Sequence, residues 1–241
     1  MDKTAQQSPD QSATLLTLKG LEPFGVGGRR KCYVHPSDPS KCVKVLRRDD
    51  KRTRRHKKSK LIPSAIRREH DNNEEERIVL ERIENRIGLK MREHLPKCYG
   101  YEATDEGPGL VLDLMRDADG KISRSLRELF TAGFEPDQFR QAFDEFAAFL
   151  LENRVLTRNL HDHNLVARHL AGGAWKLYLI DGVGDPAWLP LARWSSHLGR
   201  KKVQKRISTA WPRFEAFWKS GGVSEKMRQE STWDQGLLRH R

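Results

Sequence analysis

One lysine limits the folds that this chain can adopt. Lys44 lies in the run KCVKVL (41–46), where valines flank it and the pattern is that of a β-strand. Burying an unpaired ammonium group is costly, so a strand that turns Lys44 inward needs an anionic partner; the alternative is a lysine on the solvent face. A helix predicted over residues 67–88 offers that partner. Glu76, one turn before apolar residues of this helix, is preferred, and Glu75 is the second choice.

The succession of predicted elements describes an α+β chain. Short β-type runs occupy residues 15–46, and CYGYEA and GLVLDLM predict two strands around the turn TDEGPG. A short, serine-capped helix follows from SRSLRELF, and LVARHL and WKLYLID predict a hairpin around AGG. Between them lies a long helix whose apolar face contains Phe139, Phe143, Phe146 and Leu150. The chain from Trp194 onward is predicted to be helical in places.

These elements divide into two unequal lobes with a junction near Met115. The β-rich lobe contains a basic insertion, residues 47–60, with nine Lys or Arg among fourteen residues and no apolar periodicity. The predicted organisation is a disordered tail (1–13), a small β-rich N-lobe with one helix (14–115), a reduced, mainly helical C-lobe (116–222) and a flexible tail (223–241).

The charge of the chain favours an anionic partner. Its 241 residues have a formal net charge of +12, which suits nucleotide phosphates, nucleic acid or an anionic membrane surface. The basic insertion has the charge for phosphate contacts but lacks interleaved aromatic residues for base stacking, so we prefer a solvated loop. Three cysteines without C-x-x-C spacing argue against disulfides and zinc–thiolate sites. Without a signal-peptide pattern or a membrane-spanning run, the sequence predicts a protein of the reducing cytoplasm.

Candidate metal ligands concentrate in RNLHDHNLV (158–166) and LIDG (179–182). His161 and His163 could share one side of a strand, as in a zinc site, but no third ligand follows at a suitable spacing. Asn164 ends a turn and begins a strand, whereas Asp181 ends the next strand of the hairpin. One neutral and one anionic oxygen ligand at adjacent strand ends suit magnesium that holds a triphosphate.

A glycine-rich turn precedes the lysine strand. In PFGVGGRRKCYV (23–34), Gly25, Gly27 and Gly28 lie between two β-type runs. Such a turn allows the backbone to approach phosphates closely, and an ordinary hairpin turn is the alternative.

The order of these pieces resembles the protein-kinase-like fold: a glycine-rich turn, a strand lysine, a helix glutamate, a hinge strand, a loop ending in Asn and a strand ending in Asp. Closer still, FGVGGRRKCYVHPSDPSKCVKV, the strand-ending ID with VGD after it, and LPLARWS resemble the PhoP regulatory network protein YrbL family, which is kinase-like. The resemblance runs from about Leu18 to Trp218.

The resemblance implies ATP and Mg²⁺ as cofactors and assigns roles to individual residues. Lys44 would contact the α- and β-phosphates, with Glu76 orienting it, and Asn164 and Asp181 would hold Mg²⁺. The glycine-rich turn would cover the phosphates with Gly25, Gly27 and Gly28. The hinge that holds adenine would contain Asp113, Leu114 and Met115.

The chain also departs from the kinase pattern. Asn159 stands where the pattern has the catalytic Asp, Arg30 replaces the third glycine of the turn, and no Ala-Pro-Glu element follows. An amide cannot take a proton at neutral pH, and a general base typically contributes about 10²–10⁴-fold to the rate. Phosphoryl transfer depends mainly on positioning and charge neutralisation, so its loss would slow the reaction without removing nucleotide binding. Asp162 or His161 could substitute for the missing base.

Three functions are consistent with these features. The first is a divergent kinase-like protein that binds ATP–Mg²⁺, slowly transfers phosphate to an unknown acceptor and has a regulatory role. The second is a catalytically inactive pseudokinase that acts as a regulatory binding module. The third, less favoured, is a nucleic-acid or anionic-surface binder that uses residues 47–60. The sequence leaves the phosphoacceptor, any regulatory protein partner and the oligomeric state open.

Overall fold

The structure is a computed structural model that describes residues 15–27, 29–47, 72–184 and 196–221. The predicted tails, residues 1–13 and 223–241, lie outside these ranges. So does the basic insertion apart from Arg47.

Five antiparallel strands form the first sheet, in the order β1-β2-β3-β5-β4. In the central strand β3, Lys44 lies opposite Cys32 of β2 and Leu110 of β5. Val43 and Val45 turn to the other face, where they join a small apolar cluster with Tyr33. The strands are β1 (Gly25–Val26), β2 (Arg30–His35), β3 (Asp38–Leu46), β4 (Cys98–Glu102) and β5 (Gly109–Asp113).

Helix α1 (Asn72–Ile87) packs against β3 and β4. The sequence predicts a helix over 67–88, of which residues 67–71 lie outside the described ranges, with an interior face of Ile78, Val79, Ile83 and Ile87. The structure buries Ile83 and packs Val79 and Ile87 against the core, as predicted, but it also buries Asn73, Glu76 and Leu80. The reason is that the first two turns of α1 face charged side chains of the sheet, so polar residues form the interior face there.

The second lobe combines a three-stranded antiparallel sheet, β6-β7-β8, with helices. Ser125 caps helix α2 and forms a capping box with Glu128, which confirms the predicted serine cap. The predicted hairpin is also present as β7 and β8. The elements are β6 (Arg124–Ser125), α2 (Leu126–Thr131), a 3₁₀ turn (Pro136–Phe139), α3 (Arg140–Glu152), β7 (Leu165–His169), β8 (Trp175–Leu179) and α4 (Ser196–Lys219).

One apolar core joins the two lobes. It contains the predicted face of the long helix, with Phe139, Phe143, Phe146 and Leu150 all buried, together with Trp211 and Phe214 of α4. It continues through Leu80 of α1 and through Leu110 and Leu112 of β5. This architecture confirms the predicted α+β, two-lobed fold, with β3, α1 and the end of β8 meeting at the junction of the lobes.

Candidate functional site

Lys44 and Glu76 form a buried ion pair at this junction. The Nζ atom of Lys44 lies 2.7 Å from Oε1 of Glu76 and donates a second hydrogen bond of 2.8 Å to the carbonyl of Ile180. Burial lowers the pKa of Lys44, but the carboxylates of Glu76 and Asp181 together outweigh this effect, so the pKa lies above its ordinary value. Glu75, the second choice from the sequence, instead forms an ion pair with Arg158.

Arg30, at the start of β2, is the residue of this site that the sequence interpretation missed. Its side chain is 8% exposed and forms an ion pair with Glu76 and a second one of 2.6 Å with Oδ2 of Asp181. Burial lowers the pKa of Arg30, but the carboxylates of Glu76 and Asp181 outweigh this effect, so the pKa lies above its ordinary value. We call Arg30, Lys44, Glu76 and Asp181 the charged cluster; it contains two cations and two carboxylates.

The alternation of side chains along β2 could have predicted that Arg30 belongs to this site. Side chains two residues apart in a strand point to the same face, so Arg30 faces opposite to Lys31 and Tyr33. An aromatic residue such as Tyr33 is expected to pack on an apolar core, and in the structure it does. Arg30 therefore had to share the face that carries Lys44.

Asp181 and Asn164 lie side by side where β8 and the loop before β7 end. The amide of Ile180 donates to the carbonyl of Asn164 at 3.0 Å, and Oδ1 of Asp181 accepts from the amide of Gly182 at 2.6 Å. Gly182 has a positive φ of 80°, and a Cβ atom there would lie 3.1 Å from the Asn164 side-chain nitrogen. Burial raises the pKa of Asp181, but Arg30 and Lys44 outweigh it and hold the pKa well below its usual range.

The side-chain oxygen atoms of Asp181 and Asn164 are suitable ligands for magnesium. Mg²⁺ takes oxygen ligands and is usually held by one or two protein side chains together with phosphates and water. The carboxylate of Asp181 and the amide of Asn164 supply such donors on neighbouring turns. Arg30 already holds one of the two Asp181 oxygens.

Asn159 is exposed and lies beside the Asp181 turn. Its carbonyl lies 3.5 Å from where a Cβ atom of Gly182 would stand, and its side-chain Oδ1 accepts from Arg206 of α4 at 3.1 Å. Asn159 thus lies near the candidate metal ligands, and its side chain is an amide.

Asp162 is committed to a buried ion pair with Arg127 of α2. Its two carboxylate oxygens accept from Nε and NH2 of Arg127 at 2.7 and 2.6 Å. Burial raises the pKa of Asp162, but His163 and Arg127 outweigh it and hold the pKa well below its usual range. This arrangement gives Asp162 a structural contact and makes it a poor proton acceptor.

The two histidines of the loop stack on each other. The rings of His161 and His163 are 5.0 Å apart between centroids and nearly parallel, at 8°. Burial lowers the pKa of His161 to about 4, so its ring is neutral at pH 7. Over the ranges that the structure describes, no group of three or more His, Cys, Asp or Glu side chains is arranged to hold a metal ion.

The glycine-rich turn leads directly into Arg30. Gly25 pairs with Cys32 across the β1–β2 hairpin, and the amide of Gly27 donates to the carbonyl of Arg30 at 2.8 Å. Gly28 lies outside the described residues. The turn therefore leads into the charged cluster.

The predicted hinge connects the sheet to the second lobe. The amide of Leu114 donates to the carbonyl of Ser40 at 2.8 Å, and the carbonyl of Met115 accepts from the amide of Ser123 at 3.0 Å. The carboxylate of Asp113 accepts from the amide of Lys97 at 2.9 Å and from the hydroxyl of Tyr99 at 2.8 Å. These bonds anchor both ends of the hinge, and the Asp113 side chain binds Lys97 and Tyr99 at the start of β4.

Comparison with known sequences identifies the family. The sequence model of the PhoP regulatory network protein YrbL family matches residues 16–214. The chain belongs to this family. Relatives from Escherichia coli (strain K12) and Shigella flexneri, both described as "Uncharacterized protein YrbL", are 29% identical over 207 residues, covering 84% of this chain and 87% of each relative.

Solved structures add one comparison to this family assignment. The YrbL-family chain is similar to a crystal structure of Rad53 1–466 in complex with AMP-PNP, with a TM-score of 0.43 and 11% sequence identity. The match covers 86% of this chain, which spans 54% of the length of that chain. Over the described ranges, no helix is both long and apolar enough to cross a membrane.

Proposed function

We propose that this YrbL-family protein binds ATP at the charged cluster and acts as a regulatory protein. One observation carries the proposal: Lys44, 6% exposed, is held by Glu76 at 2.7 Å within the same cluster as Asp181. A lysine that a carboxylate positions in this way is a point charge suited to phosphate. The family name, which refers to the PhoP regulatory network, supports the regulatory role.

Each part of the site has a role in this proposal. Lys44 would bind the α- and β-phosphates while Glu76 keeps its ammonium group in place. The hinge residues 113–115 would border the adenine, next to β5. Asn164 and Asp181 would hold Mg²⁺, which when bound would neutralise charge on the phosphates.

The candidate proton acceptors Asn159 and Asp162 are poorly suited to phosphate transfer. The site therefore favours nucleotide binding over rapid transfer. Asn159 carries an amide at the base position, and both oxygens of Asp162 are bound to Arg127. Removing a general base costs about 10²–10⁴-fold in rate. We therefore place nucleotide binding first and phosphate transfer second.

Replacing Lys44 with methionine tests the binding site. Isothermal titration calorimetry with ATP and Mg²⁺ is expected to show binding to the wild type and a loss of about tenfold or more in Lys44→Met, because a charge-assisted phosphate contact disappears. Lys41→Met is the matched control: Lys41 is on the same strand, but it is 27% exposed and paired with Asp38 at 3.0 Å. Absence of ATP binding, or an equal loss in both variants, would refute the proposal.

Slow phosphate transfer is the second candidate, favoured by the position of Asn159 beside the Asp181 turn. If transfer occurs, Asn159→Asp should restore a base and raise ADP formation from ATP by about 10²-fold. We expect the lower end of the range because Arg206, 3.1 Å from the amide oxygen, would bind the new carboxylate. Asp181→Ala is the negative control. An Asn159→Asp variant that binds ATP without any gain in turnover identifies the protein as a binding module.

A further inference from the structure

Arg30 occupies the position at which a cation is expected in this site. Its guanidinium lies 2.6 Å from Oδ2 of Asp181, while Oδ1 accepts from the amide of Gly182. A divalent cation that bound Asp181 through Oδ2 would have to displace Arg30 or approach its positive charge closely.

The surroundings of Arg30 make displacement unfavourable. The guanidinium is also bound to Glu76 and, at 3.3 Å, to Oδ1 of Asn73, and the side chain is 8% exposed. Arg30 and Lys44 together balance the charges of Glu76 and Asp181. Moving Arg30 out would break its ion pair with the buried carboxylate of Glu76, which is unfavourable. Asp181, whose side chain is 49% exposed, would lose its partner at the solvent edge of the site.

Arg30 retains the capacity to bind phosphate while it stays in place. A guanidinium group has five N–H donors, and the contacts with Asn73, Glu76 and Asp181 use three of them among the described residues. The planar fork of arginine suits phosphate oxygens, and Arg30 directly follows the glycine-rich turn.

We propose that Arg30 takes the place of a metal ion, so that the site binds a nucleoside triphosphate without a divalent cation. Arg30 neutralises Asp181 and contributes donors to the phosphates, next to the point charge of Lys44. This inference rests on the proposed function and changes one feature of it: Mg²⁺ is dispensable for binding, although Asn164 and Asp181 have the donors to hold it.

The wild-type protein provides the first test. We expect the dissociation constant of ATP, measured by isothermal titration calorimetry, to change by less than about threefold between EDTA and Mg²⁺, because the counter-charge is built into the protein. Binding that vanishes in EDTA and returns with Mg²⁺ would overturn this inference and leave the proposed function standing. A protein that binds ATP in neither buffer would overturn both.

Variants of Arg30 provide the second test. Arg30→Gln is expected to weaken metal-free ATP binding by about tenfold or more and to make binding dependent on Mg²⁺. Arg29→Gln is the matched control, because Arg29 is the exposed neighbour and binds Asn72 at 2.8 Å; its metal-free affinity should equal that of the wild type. Equal metal-free affinities in Arg30→Gln and the wild type would overturn the inference.

Two further variants guard against misfolding as an explanation. Arg30→Lys keeps the charge but loses the fork, so it should bind metal-free ATP with an affinity between those of the wild type and Arg30→Gln. Asp181→Asn removes a negative charge beside the phosphates, so metal-free binding should persist or strengthen. If Asp181→Asn abolishes metal-free binding while thermal unfolding shows an intact fold, Arg30 does not replace a metal in the proposed way.

Discussion

Glu76→Ala is expected to lower the free energy of unfolding by about 3–5 kcal/mol, the range for removing one partner of a buried ion pair. Glu76 is 6% exposed, and its two carboxylate oxygens bind different cations, Lys44 and Arg30. Without Glu76, two buried positive charges would remain close together with Asp181 as the single counter-charge of the cluster. Because domains of this size are typically stable by about 5–15 kcal/mol, the variant should unfold at a much lower urea concentration.

Glu75→Ala is the matched control for this measurement. Glu75 precedes Glu76 in the same helix and also forms an ion pair, but its side chain is 33% exposed and that of its partner Arg158 is 39% exposed. Exposed pairs contribute about 0.2–1 kcal/mol, so the urea midpoint of this variant should stay near that of the wild type. Equal losses in the two variants would show that the charged cluster does not stabilise the fold.

The partner of Lys44 was predictable because local chemistry determines it. Lys44 lies between two valines of a central strand, so its side chain turns to the face opposite theirs. If that face is interior, the ammonium group needs a carboxylate partner. The helix that follows offers few carboxylates near its apolar side, and the structure pairs Lys44 with Glu76 at 2.7 Å. The hairpin of β7 and β8 and the apolar face of α3 were predictable in the same way, since each follows from periodicity over a short segment.

The interior face of α1 could not be read from apolar periodicity alone. The prediction selected Ile78, Val79, Ile83 and Ile87. Of these, Ile83 is buried and Val79 and Ile87 pack against the core, but the prediction missed Asn73 and Glu76, which are buried in the first two turns. Apolar periodicity locates a face that packs on an apolar core. At the start of α1 the neighbours are Lys44 and Arg30, so the interior face is polar there and the periodicity rule does not apply.

The sequence interpretation also did not predict ion pairs between residues that lie far apart in the chain. Arg127 and Asp162 are 35 residues apart, and Arg30 and Asp181 are 151 residues apart. Nothing local identifies such partners, since this chain offers 45 Lys or Arg and 33 Asp or Glu side chains. Asp162 illustrates the consequence: as a carboxylate near Asn159 it is a candidate base in the sequence, whereas in the structure Arg127 holds it.

The pair of Asp162 and Arg127 makes a second prediction with a large effect. Asp162→Asn is expected to lower the free energy of unfolding at pH 7 by about 3 kcal/mol, the lower end of the range for a broken buried pair. The side chain of Asp162 is 6% exposed, and an amide cannot balance the charge of Arg127, which is 17% exposed. Urea unfolding at pH 7 measures the difference between wild type and variant.

The same difference should depend on pH in a defined direction. The pKa of Asp162 is lower in the folded protein than its unfolded value of about 3.9, so its contribution is complete above that value and is lost as the pH falls through the folded pKa. Wild type and Asp162→Asn should therefore differ by a constant amount between about pH 7 and 5 and converge below about pH 4. Comparing the two proteins cancels the acid sensitivity that both owe to Asp181.

Asp144→Asn separates this effect from the general loss of one negative charge. Asp144 is 58% exposed and pairs with Arg140 at 3.2 Å along the surface of α3. An exposed pair of this kind contributes about 0.3–0.5 kcal/mol, so Asp144→Asn should follow the wild type at every pH. If Asp162→Asn followed the wild type as closely as Asp144→Asn does, the bond to Arg127 would not hold the loop, and Asp162 would again be available as the missing base beside Asn159.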